Sequence, residues 1–174
     1  MRRLILAALL MGCGDRTTDR DRTPKIRVDI GTGVDEYVPL EDGDTLTMTH
    51  GPQGAWHFDL AAFVSNVPDF VGVTNTLRVV ATDDPLIAAA PQYIALVDYS
   101  EEDAAGYLWG VRAIMGDLPH IDQAYICALH NDAVEVCSEI THPEIDSFGT
   151  GCVTVIVAAD PLDIERFCRY APRI

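Results

Sequence analysis

The stretch THGPQGAWHFDL, residues 49–60, has a histidine on either side of a glycine-rich break and directly follows Met48. If TLTMTH and WHFDL are paired strands joined by a loop of four residues, 51–54, Met48 stands opposite His57 and His50 lies on the same face. Thioether and imidazole groups are soft ligands that suit copper. A Met-His-His copper site is therefore one interpretation of this stretch.

A loop of five residues, 51–55, predicts the opposite arrangement. A slip of one residue moves every side chain of a strand to the other face. His50 then shares a face with Trp56 and Phe58, and His57 points away from it. Because this register keeps the apolar residues of both strands together, the sequence favours a structural corner here and predicts no metal ligand.

A second phrase, THPEIDSFGTG, holds the residue types of a catalytic triad in His142, Glu144, Asp146 and Ser147. Triads usually assemble from separate elements, whereas such neighbours are typical of a polar loop. None of the four serines lies in a G-x-S-x-G motif. We therefore expect a protein that is not an enzyme, with no catalytic residue and no cofactor, and an envelope hydrolase is the weakest alternative.

Three acidic clusters are candidate calcium-binding groups: Glu41-Asp42-Gly43-Asp44, Asp83-Asp84 and Glu101-Glu102-Asp103. Loops that meet at one end of a β-sandwich could supply oxygen ligands to this ion. EF-hand spacing does not occur in the sequence, and surface carboxylates also maintain solubility. A solvated acidic rim is the preferred interpretation, with calcium as the alternative.

The N-terminus has the pattern of an export signal. Arg2 and Arg3 precede eight apolar residues, Leu4–Met11, which is far short of the ~20 that cross a bilayer. The following Leu10-Met11-Gly12-Cys13 string resembles the lipobox of bacterial lipoprotein signal peptides. This resemblance implies that residues 1–12 are cleaved off and that Cys13 becomes the lipidated first residue, a membrane anchor.

Residues 13–24 predict a tether, because GDRTTDRDRTP has no aliphatic side chain and mixes charges of both signs. Residues 25–174 then form a single domain. The composition of the whole chain, 48% apolar and 22% charged, is that of a globular protein. With 27 acidic against 12 basic residues, the chain repels phosphate backbones, so nucleic acid is an unsuitable partner.

The domain shows the period-two alternation of β-strands. In WHFDLAAFV, Trp56, Phe58, Leu60 and Val64 alternate with more polar residues, and Phe63 is an outward exception. Further strand-like runs are TLRVVAT, QYIALVDY, YLWGVRAI, QAYICAL, AVEVCSE and CVTVIVAA, separated by the breaks EDGD, GPQG, NVPD, TDDP, GDLP, HND and FGTG. The predicted fold is all-β, an immunoglobulin-like or jelly-roll sandwich.

Helix is expected only near the C-terminus, where Asp160-Pro161-Leu162-Asp163 provides a capping aspartate and a proline at the first helical position. A closing edge strand is the alternative for this segment.

With Cys13 acylated, four cysteines remain in an exported domain: Cys127, Cys137, Cys152 and Cys168. An even number predicts two disulfides, since C-x-x-C zinc spacing does not occur. A hairpin loop of three residues, 131–133, would set Cys127 opposite Cys137. The preferred pairs are therefore Cys127–Cys137 and Cys152–Cys168.

The segment from Ile30 to Val64, with its GTG, PLEDGD and HGPQGAWH, resembles a group of uncharacterised lipoproteins from myxobacteria and related bacteria. Those proteins carry a phrase close to G-P-Q-G-G-W-H after a P-L-x-D-G-D turn, and Ala55 here stands at the second glycine of that pair. The resemblance covers about a fifth of the chain, together with the signal. It implies a secreted, anchored β-sandwich and no known activity.

Together these features predict a lipid-anchored protein of the bacterial cell envelope that faces the periplasm or the exterior. Its expected role is that of a non-enzymatic binding or structural module, with a protein or glycan of the envelope as partner. The alternative is a metal-handling lipoprotein that binds copper or calcium.

Overall fold

A computed structural model of the protein describes residues 25–116, 118–142 and 147–168. The predicted signal peptide, Cys13 and the tether lie outside the described residues. The strands of the described part are β1 Arg27–Thr32, β2 Val38–Pro39, β3 Thr45–His50, β4 Trp56–Ser65, β5 Phe70–Val79, β6 Gln92–Ala95, β7 Val97–Ser100, β8 Ala105–Ile114, β9 Ala133–Thr141 and β10 Phe148–Ala159. The helical elements are α1 Gln123–Ala128, α2 Pro161–Asp163 and a π-helical turn, Ile164–Cys168, which follows α2 directly.

The strands form one curled sheet in the order β2-β1-β4-β3-β10-β9-β5-β6, and β8 joins the other edge of β4 and carries β7. The pair β3–β10 is parallel, and the remaining strand pairs are antiparallel. The sheet curls so that β1 packs against β9 and β10. A core of apolar side chains fills the space between the two halves of the curled sheet. The prediction of an all-β fold is confirmed.

Strand β4 runs through the centre of this core, as its alternation predicts. Trp56, Phe58 and Leu60 are almost completely buried. Opposite Leu60 and Ala62, β8 contains one extra residue, and this bulge keeps both Leu108 and Val111 of β8 buried. Phe63 lies on the opposite face, half-buried against Tyr107, which confirms it as the outward exception.

Two glycines of β10 allow the curled sheet to close. Gly149 and Gly151 lie where a Cβ atom would meet the backbone carbonyl oxygens of Ile26, which precedes β1, and of Val28 in β1. Only a residue without a side chain permits this approach of two backbones. FGTG was expected to be a break between strands and is instead the first part of β10. The expectation was wrong because glycine here marks close packing of β1 and not a turn.

A second difference concerns QAYICAL, which was expected to be a strand and contains α1. The Asp122 side chain caps this helix by accepting a hydrogen bond from the Tyr125 backbone N–H. A short apolar run cannot be assigned to strand or helix by its periodicity alone. The N-cap aspartate was the signal that favoured helix.

The C-terminal helix is confirmed. The Asp160 carboxylate accepts a hydrogen bond from the Leu162 backbone N–H, and Pro161 occupies the first helical position. The α-helix is about one turn long. It continues directly into the π-helical turn, which ends at Cys168. This C-terminal segment lies against the end of β3, as described below.

Candidate functional site

The β3–β4 hairpin has a loop of five residues, since His50 pairs with Trp56 and Thr49 pairs with His57. The Gly54 N–H donates to the Gly51 carbonyl across Pro52 and Gln53, and the positive φ of Gly54, 90°, suits glycine. His50 and His57 therefore lie on opposite faces of the sheet, as the five-residue register predicts. The copper interpretation through Met48, His50 and His57 is wrong, because Met48 is buried in the core on the face away from His57.

His50 is part of an aromatic cluster under the C-terminal segment. Its ring stacks on Phe167 with centroids 3.8 Å apart and meets Trp56 edge to face at 5.0 Å. The His50 backbone N–H donates to the Asp163 carboxylate at 2.9 Å, and the Trp56 indole N–H donates to the Gln123 side-chain oxygen at 3.3 Å. These contacts give His50 a structural role between β3 and the C-terminal segment.

The four cysteines form two disulfides, Cys127–Cys168 and Cys137–Cys152. The expectation of two disulfides is confirmed, but the preferred pairs, Cys127–Cys137 and Cys152–Cys168, are wrong. Cys127 lies on α1 and not on a strand beside β9. Cys137 and Cys152 are directly opposite in the β9–β10 ladder, with Cα atoms 4.1 Å apart. The other bridge fastens the C-terminal segment to α1.

On the outer face of the hairpin, His57 and Asp59 meet Arg112 of β8. The Asp59 carboxylate lies 3.7 Å from His57 Nε2 and 3.6 Å from Arg112 Nε. Its Oδ1 atom is buried and accepts no hydrogen bond from the described residues. A cavity of about 100 Å³ between the hairpin loop and Arg112 borders this group. Alternation in WHFDL placed His57 and Asp59 on one face, whereas Arg112 comes from a strand whose position the sequence does not specify.

The phrase THPEIDSFGTG connects β9 to β10. The His142 N–H donates to the Ser147 carbonyl at 3.3 Å, a backbone contact that continues the hairpin. Glu144 and Asp146 lie outside the described residues. The expectation of a polar loop without a catalytic role therefore stays a prediction.

Carboxylates of the acidic clusters form hydrogen bonds or ion pairs with nearby groups of the protein. The Asp42 carboxylate accepts from the Thr154 N–H and the Asp44 carboxylate from the Glu41 N–H. Asp83 pairs with Arg78 at 3.3 Å, and Asp103 accepts from the Ser100 hydroxyl. Across the described ranges, no three His, Cys, Asp or Glu side chains lie close enough together to hold a metal ion.

A groove between β1 and β10 has a volume of about 510 Å³. Val28, Ile30, Pro39, Leu40 and Val153 provide its apolar floor, and we call it the β1–β10 groove. Asp29, Glu41 and Asp42 supply carboxylates to its rim, and Tyr37 lies beside them. The sequence pattern indicates the EDGD carboxylates but not this groove, because the groove depends on how β1 packs against β10.

Tyr37 also joins a row of aromatic rings on the outer face of β4 and β8. Its ring lies over Gly31, at which a Cβ atom would meet it. The Tyr107 ring lies 5.5 Å from Tyr37, 5.1 Å from Phe63 and 6.0 Å from Trp109, measured between centroids. Burial raises the pKa of the Tyr37 phenol, and the negative charge of Asp29 raises it further. The groove rim is thus a region of negative potential beside an aromatic surface.

No protein-family model and no curated protein matches the sequence. Among solved structures, the chain is similar to the CooA pilin subunit from enterotoxigenic Escherichia coli, at 11% identity and a TM-score of 0.33. The match covers 76% of this chain and 99% of the pilin.

Among the described residues, every helix is too short or too polar to cross a bilayer.

Proposed function

We propose that this protein is a lipid-anchored binding or structural module of the bacterial cell envelope, without enzymatic activity. The observation that carries the proposal is the pair of disulfides, Cys127–Cys168 and Cys137–Cys152. Disulfides form and persist in oxidising compartments such as the periplasm and the cell surface. They support a location of the domain outside the cytoplasm, which agrees with an N-terminal export signal.

The anchor is supported by the sequence of the first residues. Arg2 and Arg3, the short apolar run and the Leu-Met-Gly-Cys string are the parts of a lipoprotein signal, with Cys13 as the acylated residue. Eleven residues separate Cys13 from Lys25. A chain of this length, at a maximum of roughly 3.3–3.6 Å per residue, is long enough for the domain to stand clear of the membrane surface.

A non-enzymatic role is supported by what two serine hydroxyls and the four cysteines of the domain do. The Ser138 hydroxyl donates to Asn75 within the core, and the Ser100 hydroxyl donates to Asp103 in a turn. All four cysteines of the domain are disulfide-bonded, so none is a free thiolate nucleophile. These groups stabilise the fold.

Labelling with a palmitate analogue tests the proposal. The full chain, expressed in a bacterium that processes lipoproteins, should incorporate the label and fractionate with membranes. The Cys13→Ser variant should lose both properties, whereas a Gly14→Ser control should keep them. Wild-type protein that carries no label, or that is released by washing in high salt, would contradict lipid anchoring.

A further inference from the structure

The β1–β10 groove has the dimensions and the chemistry of a docking site. We propose that it binds a basic, extended segment of a partner protein, whose apolar side chains contact the floor while its lysine or arginine side chains meet the carboxylates of the rim. This inference rests on the proposed function as a binding module and specifies the partner's chemistry.

The floor of the groove provides apolar contact. Pro39 is exposed and Leu40 is partly exposed at the groove, whereas Val28, Ile30 and Val153, which also line it, are almost completely buried. The Cys137–Cys152 disulfide fixes the β10 wall covalently, and Cys152 lines the groove. A rigid wall lowers the entropy that is lost when a partner binds.

Charge complementarity identifies the sign of the partner. Glu41 and Asp42 are exposed at one side of the groove, and Asp29 is half-exposed at the other. The formal charge of the chain, −15 at pH 7, adds a long-range attraction for cations. Arg27 pairs with Asp29 at 3.2 Å on the surface. Such an exposed pair is worth only ~0–1 kcal/mol, so an incoming cation can replace it.

The aromatic row extends the same surface. Tyr37 lines the groove and stands 5.5 Å from Tyr107, which leads on to Trp109. A lysine or guanidinium group gains further stabilisation over the face of a tyrosine or tryptophan ring. Carboxylates beside aromatic rings favour a cationic side chain over a neutral or anionic partner.

Calorimetric titration with a designed peptide tests the inference. The probe is a short peptide with blocked termini that alternates lysine with valine, and its counterpart has glutamate in place of lysine. The purified full-length protein should bind the lysine peptide, more weakly as salt is added, and should not bind the glutamate peptide. No binding of the lysine peptide at low ionic strength would overturn the proposal.

Matched variants separate the groove from the overall charge. Asp29→Asn combined with Glu41→Gln should weaken binding about fivefold, the effect of losing two exposed ion pairs. Glu101→Gln combined with Glu102→Gln removes the same charge in the turn between β7 and β8 and should change the Kd less than about twofold. Equal effects of the two double variants would show attraction to net charge alone and overturn the groove assignment.

Competition distinguishes a peptide from a simple cation. Spermidine is a polyvalent cation without apolar side chains and should displace the lysine peptide only at much higher concentration. Displacement at equal concentration would overturn the assignment to a peptide segment. Because these titrations probe the folded domain, their failure would leave the labelling result at Cys13 unaffected, and failure of labelling would not alter them.

Discussion

At the scale of single residues, Tyr37 reports on the electrostatics of the groove. Burial and the charge of Asp29 raise the pKa of its phenol. The Asp29→Asn variant should therefore have a lower Tyr37 pKa, because one source of negative potential is removed. Ultraviolet titration of phenolate formation, compared with the same titration of a Tyr37→Phe background, measures this shift. Asp69→Asn, directly before β5, is the control. An equal shift of the Tyr37 pKa in that variant would contradict the assignment to Asp29.

Gly151 is the residue on which closure of the sheet depends most directly. A methyl group at this position would meet the Val28 carbonyl oxygen. We expect Gly151→Ala to destabilise the protein by about 1–3 kcal/mol, since the strands must move apart. Chemical unfolding measures the loss. Thr150→Ala, an exposed neighbour on the same strand, should change the free energy of unfolding by less than about 0.5 kcal/mol.

At the scale of elements, the C-terminal segment, residues 161–168, covers the aromatic cluster of His50 and Trp56. Phe167 stacks on His50 and lies next to Trp56, and the Cys127–Cys168 disulfide fastens the segment to α1. Replacing both cysteines with serine removes a bridge between residues 41 positions apart, worth about 4 kcal/mol in the chain-entropy model. The segment should then open and expose Trp56.

Fluorescence measures this opening in a Trp109→Phe background, which leaves Trp56 as the sole tryptophan of the chain. The Cys127→Ser/Cys168→Ser protein should show red-shifted emission and faster tryptic cleavage after the exposed Arg166. Cys137→Ser/Cys152→Ser is the matched control and should leave the emission near its original wavelength. Unchanged emission in the first variant would contradict the role of this bridge.

Sequence patterns predict the elements better than their assembly. Alternation in WHFDLAAFV identifies β4 and its buried face, and consistency between β3 and β4 gives the correct hairpin register. The same reasoning failed for QAYICAL, because a run of this length fits either strand or helix. The wrong element then produced the wrong disulfide pairs. The groove and the Asp59–Arg112 contact depend on strands distant in sequence, for which local pattern carries no signal.

At the scale of the whole molecule, the titrating groups predict loss of stability in alkali. The chain has six tyrosines and a single lysine, Lys25, so phenols dominate its titration above neutral pH. Tyr37 and Tyr125 have pKa values raised above the ordinary 10.0, mainly through burial. Folding therefore favours the neutral phenol. The stability that this provides is complete below about pH 10 and is lost as the pH rises through the folded-state pKa values.

Urea unfolding at pH 9 and at pH 11 tests this dependence. The free energy of unfolding should be lower at pH 11, and the difference should shrink in a Tyr37→Phe/Tyr125→Phe variant. Tyr93→Phe, in which a strongly exposed ring is changed, should retain the full difference. A stability that rises between these pH values would contradict the direction of the two shifts.

The central claim, a disulfide-bonded binding module anchored outside the cytoplasm through Cys13, has one decisive measurement. Intact-mass spectrometry of the full chain, extracted from bacterial membranes without reduction, reports cleavage, acylation and disulfides together. The account predicts a mature chain that begins at Cys13, carries acyl groups and has four fewer hydrogens than its fully reduced form, from the two disulfides. A chain that retains Met1, or that is cleaved elsewhere and carries no lipid, would contradict it.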